Sequence, residues 1–88
     1  MVAPEYFGLL NFFYQETGKT RFTYNTLRKW YYKSDRGYKL YKRDWHTVER
    51  NLRKMAEEGF LNRYYYDNGK VVVFELNEAF FKYLEVLV

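Results

Sequence analysis

The chain contains no cysteine, one histidine (His46) and one proline (Pro4) among its 88 residues. Without cysteine it can form neither a disulfide nor a thiolate metal site, which is typical of an intracellular protein. The single histidine excludes a zinc site built on His and Cys ligands. No uncharged apolar run approaches the roughly 20 residues that a membrane span needs, and no basic region followed by an apolar stretch opens the chain. We therefore expect a soluble, cytoplasmic protein without a metal or other cofactor.

Patterns typical of catalysis are also missing. The sequence has no glycine-rich phosphate loop, no cluster with metal-ligand spacing and no nucleophile paired with a base, so we expect that it is not an enzyme. Its length suits one small domain over residues 1–88. Aromatic side chains, by contrast, make up 24% of the chain. These large rings must supply much of a modest core.

Positive charge is concentrated in the middle of the chain. Residues 19–54 hold 12 Lys and Arg against three acidic residues, a local charge of +9 in a chain whose formal net charge is +4. The flanks are therefore acidic, with −2 in residues 1–18 and −3 in residues 55–88. A one-sided cationic surface attracts polyanions, because Lys and Arg that neutralise phosphates release condensed counterions. Nucleic acid is the partner that this distribution favours.

The segments at the two ends of the chain are unusually apolar. Pro4 begins a first helix that ends at Gly18, and Asn77 caps a last helix over residues 77–87. Both carry apolar side chains on more sides than one small core can cover. We therefore predict a homodimer that pairs the first and last helices across a two-fold axis. The alternative is a monomer in which these two helices pack on each other.

A second helix and a basic segment follow the first helix. Thr23 can cap a helix over residues 24–32, after a short β-like stretch. Residues 34–42 begin with turn chemistry and show no sustained period, which predicts an ordered loop. Its two tyrosines, Tyr38 and Tyr41, either contact a sugar-phosphate backbone or pack the loop onto the domain.

The third helix is strongly two-sided. Asp44 can cap it, and it runs over residues 45–58 before Gly59 ends it. Its apolar residues recur at spacings of three and four: Trp45, Val48, Leu52, Met55 and Ala56. Turning at 100° per residue places a mostly cationic set on the other side: His46, Thr47, Arg50, Arg53, Lys54 and Glu57.

A β-hairpin follows the third helix. Residues 60–66 and 71–76 are rich in aromatic and β-branched side chains, and Asn68-Gly69 between them favours a type I′ turn. This turn places Tyr66 opposite Val71. One face of the hairpin is expected to lie on the core, and it carries Leu61, Tyr65, Val72, Phe74 and Leu76.

In the pattern Leu52-x-x-Met55-x-x-x-Gly59-Phe60-Leu61, a helix ends in glycine and passes directly into a strand that leads to the Asn68-Gly69 hairpin. This pattern and the order of elements resemble the winged helix-turn-helix family of DNA-binding domains. The resemblance implies an α+β fold with a three-helix core, a two- to three-stranded β-wing at 60–76 and a short C-terminal helix. It also implies that the helix at 45–58 is the recognition helix. The family joins the two helices of its motif by about three or four residues, whereas about ten separate them here.

For function, the resemblance implies sequence-specific binding of double-stranded DNA by a transcription regulator, with the recognition helix in the major groove. Base contacts are then expected from His46, Thr47 and Arg50. Contacts to the sugar-phosphate backbone are expected from Arg28, Lys29, Lys39, Lys42, Arg43, Arg53 and Lys54. The wing tip would consist of Asn68, Gly69 and Lys70, where Lys70 is the single cation and Asp67 opposes it.

Other functions fit the same sequence less well. One alternative is a winged helix that binds a protein through its aromatic hairpin and terminal helices; alanine at Tyr64 or Tyr66 would then abolish function. Another is non-specific nucleic-acid binding in replication, and structured RNA is a third possible partner. The Tyr-rich, cysteine-free style also resembles small proteins of viruses and plasmids in hot-acid archaea, which would place this one inside a host cell.

Overall fold

The computed structural model describes residues 2–33 and 37–87, which form an α+β domain. In chain order its elements are α1 (Pro4–Thr17), β1 (Arg21–Thr23), α2 (Tyr24–Lys33), α3 (Tyr38–Tyr41), α4 (Trp45–Glu57), β2 (Leu61–Tyr66), β3 (Val71–Leu76) and α5 (Glu78–Leu87). The strands form one antiparallel sheet in the order β1-β3-β2. Residues 34–36, which the sequence pattern assigns to a loop, lie outside the described part of the chain.

Polar side chains begin three of the helices, as the sequence predicts. In each case a side-chain oxygen accepts a hydrogen bond from a first-turn amide that has no carbonyl partner of its own. The bonds run from Thr26 N–H to Thr23 Oγ1 (3.2 Å), from Thr47 N–H to Asp44 Oδ1 (2.9 Å) and from Phe80 N–H to Asn77 Oδ1 (3.0 Å). The predicted starts of α2, α4 and α5 are confirmed.

The hairpin of β2 and β3 has the predicted register, which places Tyr66 opposite Val71. Asn68 and Gly69 have φ angles of 53° and 84°. Positive φ at both central positions is the mark of a type I′ turn, whose twist matches that of the flanking strands. On the other side of β3, the short strand β1 adds the third strand of the sheet.

The hairpin face assigned to the core is buried at only one end. Leu61, Phe74 and Leu76 are at most 4% exposed, whereas Tyr65 is 59% exposed. The prediction for Tyr65 is wrong because the strands extend beyond the core, so that burial along β2 decreases towards the turn. The turn end of the hairpin stands in solvent, with the Arg63 guanidinium 5.6 Å from the centre of the Tyr65 ring.

Helix α1 is enclosed by other helices of the same chain. The ring centroid of Phe7 lies 5.6 Å from that of Phe80 and 4.6 Å from that of Tyr83, both on α5. On another side, the Phe12 ring lies 6.2 Å from Tyr41 of α3. Helices α5 and α3 therefore cover apolar side chains on two sides of α1. The homodimer remains a prediction. It depends on apolar side chains of the first and last helices, and the packing of α1 on α5 within one chain already buries some of them.

The short helix α3 lies where the sequence pattern predicts a loop over residues 34–42, so that prediction is wrong for the helical part. Two glycines allow its close packing. A Cβ atom added at Gly37 would lie 2.3 Å from the backbone oxygen of Tyr31, and one added at Gly8 would lie 3.0 Å from Tyr41 Oη. A four-residue helix is too short to be stable alone. Its contacts with α1 and α2, which have no periodic signal in the sequence, stabilise it.

One carboxylate links the three strands on the outer face of the sheet. Glu75 on β3 accepts a hydrogen bond from Arg21 Nε of β1 at 2.8 Å. It also accepts bonds from Asn62 Nδ2 and Tyr64 Oη of β2, each at 2.9 Å. The hydrogen bonds from Asn62, Arg21 and Tyr64 favour the ionised form and lower the pKa of Glu75 to about 2.

Acid is expected to weaken the fold through Glu75. Because its pKa falls from 4.5 to about 2 on folding, its stabilising effect is complete above pH 4.5 and is lost as the pH falls towards 2. In Glu75→Gln that effect is already missing at neutral pH, so the free energy of unfolding should change less across this range. Urea unfolding at several pH values measures the difference.

The matched control is Glu78→Gln, because the Glu78 side chain is 82% exposed and pairs only at the surface with Lys82. Such a pair contributes little to stability. The control should therefore keep the acid sensitivity of the unchanged chain. Equal acid sensitivity in the two variants would contradict the role assigned to Glu75.

Candidate nucleic-acid interface

The side of α4 opposite the core carries the cations predicted for it. Trp45, Val48, Leu52 and Met55 are buried. The exposed side chains on the opposite side include His46 and three cations, Arg50, Arg53 and Lys54. At 100° per residue these four lie within an arc of about 100°, and they extend about 12 Å along the helix. The segment is helical and its Arg50 side faces solvent, as the prediction required, although the helix ends at Glu57, one residue earlier than predicted.

The three residues predicted to contact bases differ in how their polar groups are engaged. The His46 side chain is 96% exposed, and its Nδ1 lies 3.4 Å from Glu49 Oε1. The Thr47 hydroxyl donates to Asp44 Oδ2 at 3.1 Å, which leaves its methyl group as the part best placed for a thymine methyl. Arg50 is exposed near the middle of the helix. Of the three, Arg50 is best suited to read a base edge.

Tyr31 of α2 holds the start of α4 in place. Its hydroxyl donates to the Arg43 carbonyl at 2.7 Å and accepts from the Arg43 amide at 3.0 Å. Its ring centroid lies 6.1 Å from that of Trp45. Burial raises the pKa of Tyr31, so the hydroxyl stays protonated and able to donate. The two helices that the family resemblance pairs are therefore linked directly.

The cap of α4 is also electrostatically suited to its position. The amide and hydroxyl of Thr47 donate to Asp44 and lower the pKa of its carboxyl group. Asp44 is therefore ionised at neutral pH. A negative charge at a helix N-terminus is stabilising, because the helix dipole is positive there. This local arrangement sets where α4 begins and so which residues occupy its exposed first turns.

All seven residues predicted to contact the DNA backbone are exposed: Arg28, Lys29, Lys39, Lys42, Arg43, Arg53 and Lys54. They are spread over α2, α3, the residues just before α4 and α4 itself. In Arg43, Nη2 donates to Glu5 Oε1 at 3.0 Å, although 51% of the side chain remains exposed. A phosphate would compete with Glu5 for this guanidinium. Arg43 is therefore expected to contribute less to DNA binding than its position suggests.

The predicted wing tip is exposed at Asn68, Gly69 and Lys70. A cleft of about 320 Å³ separates the hairpin from the start of α2, and it is lined by Thr23, Tyr24, Asn25, Lys70, Val71 and Val72. Its lining includes one cation, which agrees with the weakly charged turn seen in the sequence. The cationic character of the domain lies on the helices and not on the hairpin.

Residues 2–33 and 37–87 contain neither a metal-binding cluster nor a membrane-spanning helix. No three His, Asp or Glu side chains there come close enough together to hold a metal ion. Nor does any helix in these ranges combine the length and apolar character needed to cross a membrane.

Sequence reasoning missed two features of this surface. The first is the pairing of Arg43 with Glu5, which lies 38 residues earlier in the chain; no local pattern indicates such a partner. The second concerns the tyrosines. Tyr41 packs against α1, as one of the two sequence interpretations had it, while Tyr32 and Tyr38 are 48% and 45% exposed. The available signal was that Leu27, Trp30 and Tyr31 share one face of the second helix and Tyr32 comes one residue after them.

In comparisons with known proteins, no protein-family model matches this chain, and no curated protein or solved structure is significantly similar to it.

Proposed function

We propose that this protein binds double-stranded DNA in a sequence-specific manner and regulates transcription, with α4 as its recognition helix. The observation that supports the proposal is the two-sided construction of α4. Its apolar stripe is buried in the core, while Arg50, Arg53 and Lys54 are exposed on the opposite side. The major groove of B-form DNA admits an α-helix, and cations on its outward side can reach base edges and phosphates.

In this proposal the domain has a winged helix-turn-helix layout. Helix α2 is the supporting helix, and the hairpin of β2 and β3 is the wing. The contacts of Tyr31 with Arg43 and Trp45 support this pairing of α2 with α4. The intervening α3 is an insertion in the motif. Because Lys39 and Lys42 lie on or beside it, the insertion extends the cationic surface beyond α4.

The exposed residues of α4 then divide into two roles. Arg50 can donate two hydrogen bonds to guanine O6 and N7, and the Thr47 methyl and His46 ring can contact neighbouring bases. Arg53 and Lys54 lie one turn further along and bind phosphates, which positions the protein without reading sequence. Arg28 and Lys29 add phosphate contacts from α2.

Titration against DNA at several salt concentrations tests the proposal. If six to eight phosphate contacts form, the logarithm of the association constant should fall against the logarithm of salt with a slope of roughly −5 to −7. A duplex selected from a random pool should keep its advantage over random duplex as salt rises. Equal affinity for every duplex would favour the non-specific alternative, and a slope near zero would contradict both.

Exposed apolar side chains on the hairpin support protein binding as a second candidate function. Tyr66 and Val71, which pair across β2 and β3 on one face of the hairpin, are 49% and 39% exposed, and Tyr65 on the opposite face is 59% exposed. Grouped apolar side chains of this kind are typical of contact surfaces between proteins. The two candidates differ in the residue that is essential, which is Arg50 for DNA binding and Tyr66 for a protein contact.

The predicted homodimer would place two α4 helices about 34–36 Å apart, one turn of DNA, and would favour a palindromic site. Among the described residues of α1 and α5, the large apolar side chains that are exposed lie at the end of α5, where Val86 is 76% and Leu87 39% exposed. Sedimentation equilibrium distinguishes the 11.0 kDa monomer from a dimer. A monomer would read a single half-site.

A further inference from the structure

Two tyrosines next to the proposed DNA interface form an exposed pair. Tyr32 near the end of α2 is 48% exposed and Tyr38 at the start of α3 is 45% exposed. Their ring centroids lie 5.4 Å apart with the ring planes tilted by 43°. Leu40, which is 57% exposed, follows on α3. We call Tyr32 and Tyr38 the tyrosine platform.

The described stretches of chain that carry the platform hold only positive charge. Arg28 and Lys29 lie one helical turn before Tyr32, at the i+4 and i+3 spacings that place side chains on one face of a helix. Lys33 and Lys39 adjoin Tyr32 and Tyr38 in the sequence, and all four cations are exposed. Residues 24–33 and 37–43 contain no Asp or Glu. A ligand that covers the platform must therefore be compatible with a cationic rim, which favours a polyanion.

Contacts of a buried ring link the platform to the first turn of α4. The Tyr31 ring lies 5.2 Å from Tyr32, 5.9 Å from Tyr38 and 6.1 Å from Trp45, the first residue of α4. The buried Tyr31 thus connects the platform to the end of the recognition helix nearest His46.

We propose that the tyrosine platform stacks an unpaired base of single-stranded DNA, while Lys29, Lys33 and Lys39 bind the adjoining phosphates. Aromatic side chains within a cationic groove are the common means of binding single strands, and stacking tolerates any base because every base has a π face. In a duplex the bases stack on one another, so the platform can act only on a strand that is open. The inference rests on the proposed function in taking DNA as the ligand, but it adds a second site and a second form of DNA.

A fluorescence titration with an oligothymidine of about 15 nucleotides, within the range that small single-strand sites cover, tests the proposal. One position carries 2-aminopurine, whose emission is quenched when the base stacks. Tyr32→Ala should raise the dissociation constant at least about fivefold and reduce the quenching. Tyr32→Phe, which keeps the ring, should retain both. Tyr65→Ala is the matched control, since Tyr65 is 59% exposed on the hairpin.

A second variant tests the proposed phosphate contacts and leaves the Tyr32 ring unchanged. Lys29→Gln combined with Lys33→Gln should weaken single-strand binding and reduce its salt dependence, while circular dichroism shows an unchanged fold. Arg50→Ala should weaken duplex binding and leave single-strand binding unchanged, so failure of this proposal can be told from failure of the proposed function. If Tyr32→Ala weakens binding no more than Tyr65→Ala, or if RNA of equal length displaces the DNA, the proposal is overturned.

Discussion

Replacing Arg50 with alanine is expected to lower the affinity for a preferred DNA duplex by about 5- to 150-fold, or about 1–3 kcal/mol. The physical reason is the loss of two directed hydrogen bonds to guanine. Arg50 is exposed at the centre of the cationic side of α4, so the substitution removes no core contact and should leave the fold intact. Fluorescence anisotropy with a duplex selected from a random pool measures the effect.

Two further variants separate base reading from general attraction. Lys54→Ala removes a phosphate contact and should weaken binding to all duplexes alike, while it reduces the salt slope by about 1. Lys82→Ala removes the same charge from α5, where the side chain is 72% exposed and pairs with Glu78. It should leave binding nearly unchanged. If Arg50→Ala behaves like Lys82→Ala, α4 is not the recognition helix.

Replacing Phe7 with alanine should lower the free energy of unfolding by about 3–5 kcal/mol. Phe7 is 1% exposed. Its ring centroid lies 5.0 Å from that of Phe60, 5.6 Å from Phe80 and 4.6 Å from Tyr83, so it joins α1 to α5 and to the start of the hairpin. A small domain has a total stability of only about 5–15 kcal/mol, which makes this loss severe. Urea unfolding followed by circular dichroism measures it.

Lys82→Ala is the matched control, because Lys82 lies on α5 but its side chain is 72% exposed. An exposed side chain of this kind changes stability by no more than about 0.5 kcal/mol. The same experiment bears on the dimer. If the protein is a monomer, the urea midpoint should not depend on protein concentration. A midpoint that rises with concentration would instead show that association stabilises the fold.

Much of the secondary structure could be predicted because its causes are local. Thr23, Asp44 and Asn77 each bind an amide three residues away, so the signal and its effect lie within one turn. The type I′ turn at Asn68-Gly69 likewise sets the register of both strands. The buried and exposed sides of α4 could also be predicted locally, because helical geometry alone fixes which of its residues share a face.

The predictions failed where the cause lies far away in the sequence. Helix α3 depends on the close approach of Gly37 to the Tyr31 backbone, and no periodicity records that contact. Strand alternation places Tyr65 on the core-facing side of β2, but the core ends before the strand reaches this residue. The sequence alone gives no partner for Arg43, because Glu5 lies far from it in the chain and only folding brings the two together. In each case the partner is chosen by packing and not by spacing along the chain.

The sequence by itself determined the starts of α1, α2, α4 and α5, the hairpin register and the cationic side of α4, because each follows from hydrogen bonds and periodicities within a few residues. Only the tertiary structure decided that α1 is covered by α3 and α5 of the same chain, that Tyr31 anchors α4 to α2, and that Tyr32 and Tyr38 form an exposed pair beside the first turn of α4. These arrangements require the simultaneous packing of elements distant in the chain, and burial is settled by the whole core.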